Sequence, residues 1–97
     1  MMLPSTPSGA GEEHRPRTIV VRYEHEIDAL DRVAGILRRQ RVRAEAFTAV
    51  ASHDRATVQA TIMFDSSDKT AARIVSLLEK QIGVLAVEDW TSEAKEQ

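Results

Sequence analysis

Residues 30–39 of this 97-residue chain read Leu30-Asp31-Arg32-Val33-Ala34-Gly35-Ile36-Leu37-Arg38-Arg39. Apolar residues recur here at helical spacing and charged residues fill the other positions, which predicts an amphipathic helix. Aspartates lie near its start and arginines near its end, as the helix dipole favours. A strand around Thr18-Ile19-Val20-Val21 precedes it. We expect the helix to bury a stripe formed by Ile27, Leu30, Val33, Ala34 and Leu37.

The rest of the pattern predicts four strands and a second helix. The strands are Arg17–Tyr23, Val42–Val50, Ala56–Phe64 and Val84–Trp90. The third alternates apolar and polar residues, which is typical of a sheet covered on one face only. The second helix follows Asp65-Ser66-Ser67-Asp68, where a Ser or Asp can cap it, and Gly83 suits a left-handed end. We expect it to bury Ala71, Ile74, Val75, Leu78 and Ile82.

This order of elements predicts the fold class. Strand, helix, strand, strand, helix, strand with right-handed crossovers gives an α+β, ferredoxin-like βαββαβ fold. It places four strands in one antiparallel sheet with both helices on one face. That fold hosts many unrelated functions, so the fold alone does not decide what the chain does.

The chain is expected to form one domain, residues 17–91, between two tails. Residues 1–16 are rich in Pro, Ser and Gly without hydrophobic periodicity, which predicts a disordered N-terminal tail or an arm that orders on a partner. Residues 92–97 form a charged C-terminal tail. A folded part of ~80 residues buries only about 60–65% of its unfolded surface, so pairing with another chain would add to a small core.

Composition excludes several functional classes. The chain has no cysteine, and therefore no disulfide, thiolate metal site or thiol nucleophile. Its net charge of −2 gives no overall attraction for nucleic acid or an anionic membrane. Apolar runs fall far short of the ~20 residues that span a bilayer. Because residues 1–16 also lack the apolar segment of a signal peptide, we expect a cytoplasmic protein.

Two groups of residues that resemble catalytic or metal-binding motifs have simpler interpretations. Ser52-His53-Asp54 contains the residue types of a hydrolytic triad. Consecutive residues of a tight turn cannot adopt the geometry of a triad, and these residue types are also common in turns. His14, His25 and His53 fall in a tail, a loop and a turn, with no spacing typical of a metal site.

Two other features are candidates for docking to a partner. Arg38, Arg39, Arg41 and Arg43 lie close together at the end of the first helix and the following strand. They either complement the helix dipole in solvent or bind an acidic surface on a partner. Binding of phosphate or nucleic acid is a third alternative, for which no aromatic or glycine-rich motif accompanies the arginines. Trp90, the only tryptophan, either packs on the core or sheet edge or contributes to a contact between chains.

Three segments together resemble the ACT domain of the small, regulatory subunit of acetolactate synthase (acetohydroxyacid synthase). Arg32–Arg39 is similar to the first helix of that domain, and Glu45-Ala46-Phe47-Thr48 to its second strand. Leu78–Val84 resembles the junction of its second helix and last strand. The likeness covers Thr18 to Trp90, in the layout of the short, single-domain members.

This resemblance implies a specific role. ACT domains pair side by side into a continuous sheet and bind an amino acid at the interface, which implies a homodimer. The regulatory subunit of that family catalyses no reaction itself, so we expect this chain not to be an enzyme and not to bind a cofactor. It would stimulate a large catalytic subunit that uses thiamine diphosphate, Mg²⁺ and FAD in branched-chain amino-acid biosynthesis.

The loop before the first helix departs from the family. There the family has Asn and then Pro-Gly, whose backbone N–H groups meet the effector carboxylate. The matching residues here are His25, Glu26, Ile27 and Asp28, with Asp28 on the glycine position. A carboxylate at about 4 Å would repel a ligand carboxylate by roughly 1–4 kcal/mol. We therefore expect weak or absent valine feedback.

Two alternatives remain open from the sequence. The first is a free-standing ACT-like sensor for another small molecule. That molecule would be cationic, because Glu24, Glu26 and Asp28 are acidic. The second is an acylphosphatase-like enzyme of the same fold, which would need an asparagine that the chain lacks.

Overall fold

The structure, a computed structural model, describes residues 13–26 and 28–91. Its elements are β1 (Arg15–Glu24), α1 (Ala29–Arg39), β2 (Ala44–Ala51), β3 (Thr57–Ser66), α2 (Asp68–Glu79) and β4 (Val84–Asp89). The strands form one antiparallel sheet in the order β2-β3-β1-β4. The predicted ferredoxin-like fold class is confirmed. Ile27 and most of the two predicted tails, residues 1–12 and 92–97, lie outside the described residues.

Strand β3 shows why one face of the sheet is covered. Val58, Ala60, Ile62 and Phe64 are buried, while Gln59 and the other intervening residues are partly or fully exposed. The buried set packs with Ile19 and Val21 of β1 and with residues of both helices. Full burial of such a side chain contributes about 1.5–3 kcal/mol, so this two-layer core is the main source of stability.

The buried stripe of α1 differs in part from the predicted one. Val33 and Leu37 are buried as expected, but Ala29 and Ile36 complete the stripe. Leu30 is 43% exposed, so its predicted burial was wrong. Apolar residues flank Val33 and Leu37 on both sides, and helical periodicity alone cannot say which flank turns inward.

Helix α2 begins and ends at definite signals. The Ser67 hydroxyl accepts a hydrogen bond from the Thr70 backbone N–H at 3.2 Å, which confirms a serine cap. Ala71, Ile74 and Leu78 are buried, as predicted. The helix ends at Glu79, so Ile82 falls beyond it and is 86% exposed, contrary to its predicted burial.

Gly83 lies in the turn between α2 and β4. Its φ of +91° is the left-handed conformation that was predicted, although it occurs after the helix rather than at its last turn. The Gly83 carbonyl accepts a hydrogen bond from the Glu24 N–H at 2.8 Å. The turn is thereby joined to the end of β1.

A buried arginine joins β1 to the start of α2. Arg17 is only 5% exposed, and its Nε and Nη2 donate to the Ser66 carbonyl at 3.2 and 3.0 Å. Nη2 also donates to Asp68 at 2.7 Å, and Arg15 donates to the same carboxylate at 3.0 Å. These bonds hold the pKa of Asp68 below its ordinary value, with Arg17 the larger cause.

The predicted hairpin between β2 and β3 is confirmed. Ser52 N–H donates to the Thr57 carbonyl at 2.8 Å. The Ser52 hydroxyl donates directly to Asp54 at 2.7 Å, so His53 does not stand between them and no triad forms. That bond and the one from the Ala56 N–H at 3.0 Å lower the pKa of Asp54, the Ala56 bond being the larger cause.

Among residues 13–26 and 28–91, none of the helices is long and apolar enough to cross a membrane.

Candidate functional site

A cavity of about 470 Å³ opens where the loop after β1 meets the start of α1. Its other walls come from strand β2, the β2–β3 hairpin and the start of β3. Ligand sites in proteins are typically about 300–1,000 Å³, so the volume suits a small molecule. We call it the β1–α1 cavity.

The walls of the β1–α1 cavity are mostly apolar. Val58 and the ring of Tyr23 are buried at its base, and Ala49 and Ala51 line it from strand β2. Leu30 projects into it from α1 instead of joining the core. The residue whose burial was mispredicted is therefore a wall of the site.

Two charged residues of opposite sign also line the cavity. Glu26 belongs to the loop after β1, and Arg55 to the hairpin. Arg55 adopts a φ of 64°, held by a hydrogen bond from its N–H to the Ser52 carbonyl at 2.9 Å. One carboxylate and one guanidinium can bind the two ends of a zwitterion.

His25 joins these two sides of the cavity. Its backbone N–H donates to the Ala56 carbonyl at 3.1 Å, and its ring Nδ1 lies 3.0 Å from the Arg55 carbonyl. Because a carbonyl only accepts, Nδ1 carries the proton in this bond. The expected solvated histidine is therefore a structural link as well as an exposed side chain.

Tyr23 lines the cavity from the end of β1. Only 3% of the residue is exposed, and burial raises the pKa of its phenol.

Arg32 binds both acidic side chains of the loop before α1. Its guanidinium donates to Asp28 at 2.7 Å and to Glu26 at 3.2 Å, and it lies 3.5 Å from the Ile82 carbonyl. The hydrogen bond to Glu26, followed by the charge of Asp28, raises the pKa of Arg32. Both carboxylates therefore share one positive charge.

The four loop residues predicted as effector candidates have different positions. His25 and Glu26 line the β1–α1 cavity, whereas Ile27 lies outside the described residues. Asp28 is at the N-cap of α1 but makes no side-chain hydrogen bond to the helix N–H groups. It borders a separate concave surface with Arg32 and Arg38.

The predicted basic cluster divides into two pairs. The guanidinium groups of Arg38 and Arg39 lie over Gly35, within 3.8 Å of where a Cβ would stand. Arg41, with a φ of 63°, and Arg43 line another concave surface, which also contains acidic residues. Arg38 and Arg39 line a different concave surface, together with Asp28 and Asp31.

Trp90 is not a core residue. It is 42% exposed, and its Nε1 donates to Glu88 at 2.8 Å. Its backbone N–H donates to the Thr18 carbonyl at 2.8 Å, which continues the β1–β4 register by one residue. That register places Trp90 on the sheet face that carries no helices.

No single pattern in the sequence pointed to the β1–α1 cavity as a whole. Tyr23 and Arg55 were not among the predicted site residues, because one reads as a strand residue and the other as a turn residue. Within the described ranges, no three acidic or histidine side chains gather closely enough to hold a metal ion.

Comparisons with known proteins identify the fold. No model of a protein family matches the chain, and neither does any curated protein. Solved structures do match. The ACT domain of GTP pyrophosphokinase from Chlorobium tepidum has a TM-score of 0.67 at 14% identity, over 78% of this chain and 97% of that one.

Two further neighbours belong to larger proteins. The small subunit of acetolactate synthase from Thermotoga maritima has a TM-score of 0.69 at 20% identity, over 77% of this chain and 47% of that one. A homoserine dehydrogenase from Thiobacillus denitrificans has a TM-score of 0.68 at 13% identity, over 92% of this chain and 19% of that one. The chain thus has the fold of an ACT domain.

Proposed function

We propose that this chain is a non-catalytic ACT-domain subunit that binds and activates the catalytic subunit of acetolactate synthase. One observation carries the proposal. The three segments that resemble the small subunit fall on α1, on β2 and on the α2–β4 junction, in the order and spacing of an ACT fold. Fold likeness alone would fit many ACT proteins, so these segments support the specific assignment.

In this proposal the chain supplies no reacting group. Thiamine diphosphate, Mg²⁺ and FAD belong to the catalytic subunit, as in the family that the segments resemble. The chain contributes an interaction surface and a regulatory site, for which the β1–α1 cavity is the candidate.

A second copy of the chain is proposed to pair along strand β2. This strand is at the edge of the sheet, and its eight residues are mostly exposed. An edge strand offers unpaired N–H and C=O groups, and Glu45 is the only charged residue here to discourage pairing. Pairing through β2 would continue the sheet and place the second copy beside Ala49 and Ala51 at the β1–α1 cavity.

Valine is proposed to be a weak effector or none. A ligand carboxylate at the start of α1 would lie beside Glu26 and Asp28, whose two negative charges are offset by the single guanidinium of Arg32. The loop also lacks the glycine that permits close backbone approach in the family. Both features disfavour the carboxylate of a branched-chain amino acid at that position.

The decisive experiment titrates the purified chain into its cognate catalytic subunit. We expect acetolactate formation to rise to a plateau, and the chain alone to show no such activity. Millimolar valine should neither inhibit the complex nor shift the melting temperature of the chain. An unchanged rate throughout the titration would refute the assignment to acetolactate synthase.

The cavity favours a second candidate, a free-standing ACT-like sensor that regulates another enzyme. One chain by itself supplies walls and charged groups for a ligand. The cationic preference expected from the acidic loop is reduced, because Arg32 binds Glu26 and Asp28. Ligand binding without any effect on the catalytic subunit would favour this candidate.

A further inference from the structure

The sheet face that carries no helices contains a part without charge. Strand β3 turns its buried residues toward the helices, so the residues between them lie on the other face. The register of β2 with β3 places three residues of β2 beside them on that face. We call these six residues the uncharged strip: Ala46, Thr48 and Val50 of β2 with Gln59, Thr61 and Met63 of β3.

Charged residues border the uncharged strip but do not enter it. On the same face, Arg22 of β1 lies opposite Gln59, and Glu88 of β4 lies one strand further out, opposite Val20. The one charged residue of β2, Glu45, lies at its bulge and lines the concave surface of Arg41 and Arg43. A centre depleted of charge with a charged border is typical of a protein–protein interface.

Large apolar side chains are exposed on this face. Val50 is 61% exposed and Met63 42%, and Trp90 lies on the same face. Met63 and Trp90 flank Thr18, the first through the β1–β3 register and the second through its backbone hydrogen bond. Methionine and tryptophan are enriched in interfaces, so this row of residues supports the same interpretation.

The area of the face decides how many copies an interface needs. Strands lie about 4.8 Å apart, and residues on one face of a strand about 6.8 Å apart, so four strands with three such residues each present on the order of 400 Å². Two single copies stacked through it would bury on the order of 800 Å² in total, no more than a crystal contact does. Two pairs of copies would bury roughly 1,600 Å², the size of a stable interface.

We propose that the helix-free face of the sheet is a second interface between copies of this chain, through which two dimers paired along β2 stack into a tetramer. The proposal rests on the proposed function in one respect, the pairing along β2. Such pairing joins the two uncharged strips edge to edge, because β2 is the outermost strand of each.

A second pair of the same kind is the occupant that this surface fits. Two-fold symmetry lays the joined strips of one pair on those of the other, so the centre of the contact desolvates no charge. The small side chains of Ala46, Thr48 and Thr61 let two sheets approach to the usual spacing of about 10 Å. Arg22 and Glu88 remain outside the strips, nearer the rim.

Met63→Lys tests the stacking without altering the β2 edge. Analytical ultracentrifugation of the full chain should show a tetramer for the wild type and a dimer for this variant, because the lysine would be buried without a partner charge. Met63 is exposed, so the melting temperature should change little. Ser76→Lys adds the same charge on α2, in the other layer, and should remain a tetramer.

Trp90 provides an independent readout, because it is the only tryptophan of the chain. Its fluorescence emission should shift to longer wavelength as dilution separates the stacked pairs and exposes the indole to water. In Met63→Lys the emission should already lie at the longer wavelength and should not depend on concentration. A wild-type emission that is equally independent of concentration would contradict the stacking.

The possible results separate the stacking from the pairing and from activation. A wild-type chain that is a dimer even at millimolar concentration would overturn the stacking and leave the pairing along β2 intact, and so would a tetramer that survives Met63→Lys. A wild-type dimer whose activation of the catalytic subunit is weakened by Met63→Lys would assign this face to that subunit and overturn the inference.

Discussion

The guanidinium of Arg32 lies 2.7 Å from the carboxylate of Asp28, the N-cap residue of α1 four positions earlier. The same group reaches Glu26 at 3.2 Å and approaches the Ile82 carbonyl at 3.5 Å. A single side chain of the helix thus binds the loop that enters the helix and the turn that leads into β4. Arg32 thus offsets part of the negative charge that Glu26 and Asp28 give to that loop.

We expect Arg32→Gln to destabilise the domain slightly. Ion pairs on a protein surface contribute little to stability, and Arg32 is 33% exposed, so the fall in melting temperature should be no more than a few degrees. The fall should shrink in high salt, because salt screens exposed charges. Arg38→Gln, an exposed position on the same helix, is the control, and equal melting temperatures for the two variants would contradict the role of Arg32.

Acid should weaken the junction between β1 and α2. Hydrogen bonds from Arg17 and Arg15 lower the pKa of Asp68 from its ordinary 3.8 in the folded state. A carboxylate with a lowered folded pKa stabilises the fold above the unfolded value, and this stabilisation is lost as pH falls through the folded pKa. The loss should therefore occur below about pH 4.

Asp68→Asn tests this dependence by urea denaturation at pH 7 and pH 3. The variant should be less stable than the wild type at pH 7 and should lose less stability between the two pH values. Asp65→Asn is the control, because Asp65 forms no ion pair in the described part of the chain. An unchanged acid dependence in Asp68→Asn would show that the bonds to Arg17 and Arg15 do not carry it.

Leu78 and Ile82 should respond very differently to truncation. Leu78 is fully buried in α2, so Leu78→Ala should cost about 2–5 kcal/mol in the free energy of unfolding. Ile82 is 86% exposed, so Ile82→Ala should change stability by less than about 0.5 kcal/mol. Chemical denaturation of both variants provides the measurement. A large loss at Ile82 would mean that the residue packs against something, a second chain included.

Charges on the edge strand should oppose the proposed homodimer. The double variant Thr48→Lys and Val50→Lys places two cations on exposed positions of β2. Like charges across paired strands cost about 0.2–1 kcal/mol for each pair, so the dimer dissociation constant should rise roughly 2- to 30-fold. Analytical ultracentrifugation measures it. Met63→Lys, on the same sheet face but on an interior strand, should have a smaller effect.

The order and type of the secondary-structure elements could be predicted because local patterns specify them. Alternation in β3 and the serine cap of α2 are properties of neighbouring residues, and each occurs as predicted. The orientation of α1 could not be predicted from the sequence, since apolar residues flank Val33 and Leu37 on both sides. Packing against the sheet decided that Ile36 turns inward and Leu30 outward.

The sequence by itself determined the ferredoxin-like fold of this protein, because hydrophobic periodicity and turn residues act over a few positions along the chain. It also placed His25 and Glu26 in the loop that borders the cavity. Only the tertiary structure brought Arg55, Glu26 and Tyr23 to the same cavity and directed Arg32 onto Asp28. These relationships join residues whose positions depend on strand register and helix orientation, and no local pattern encodes either.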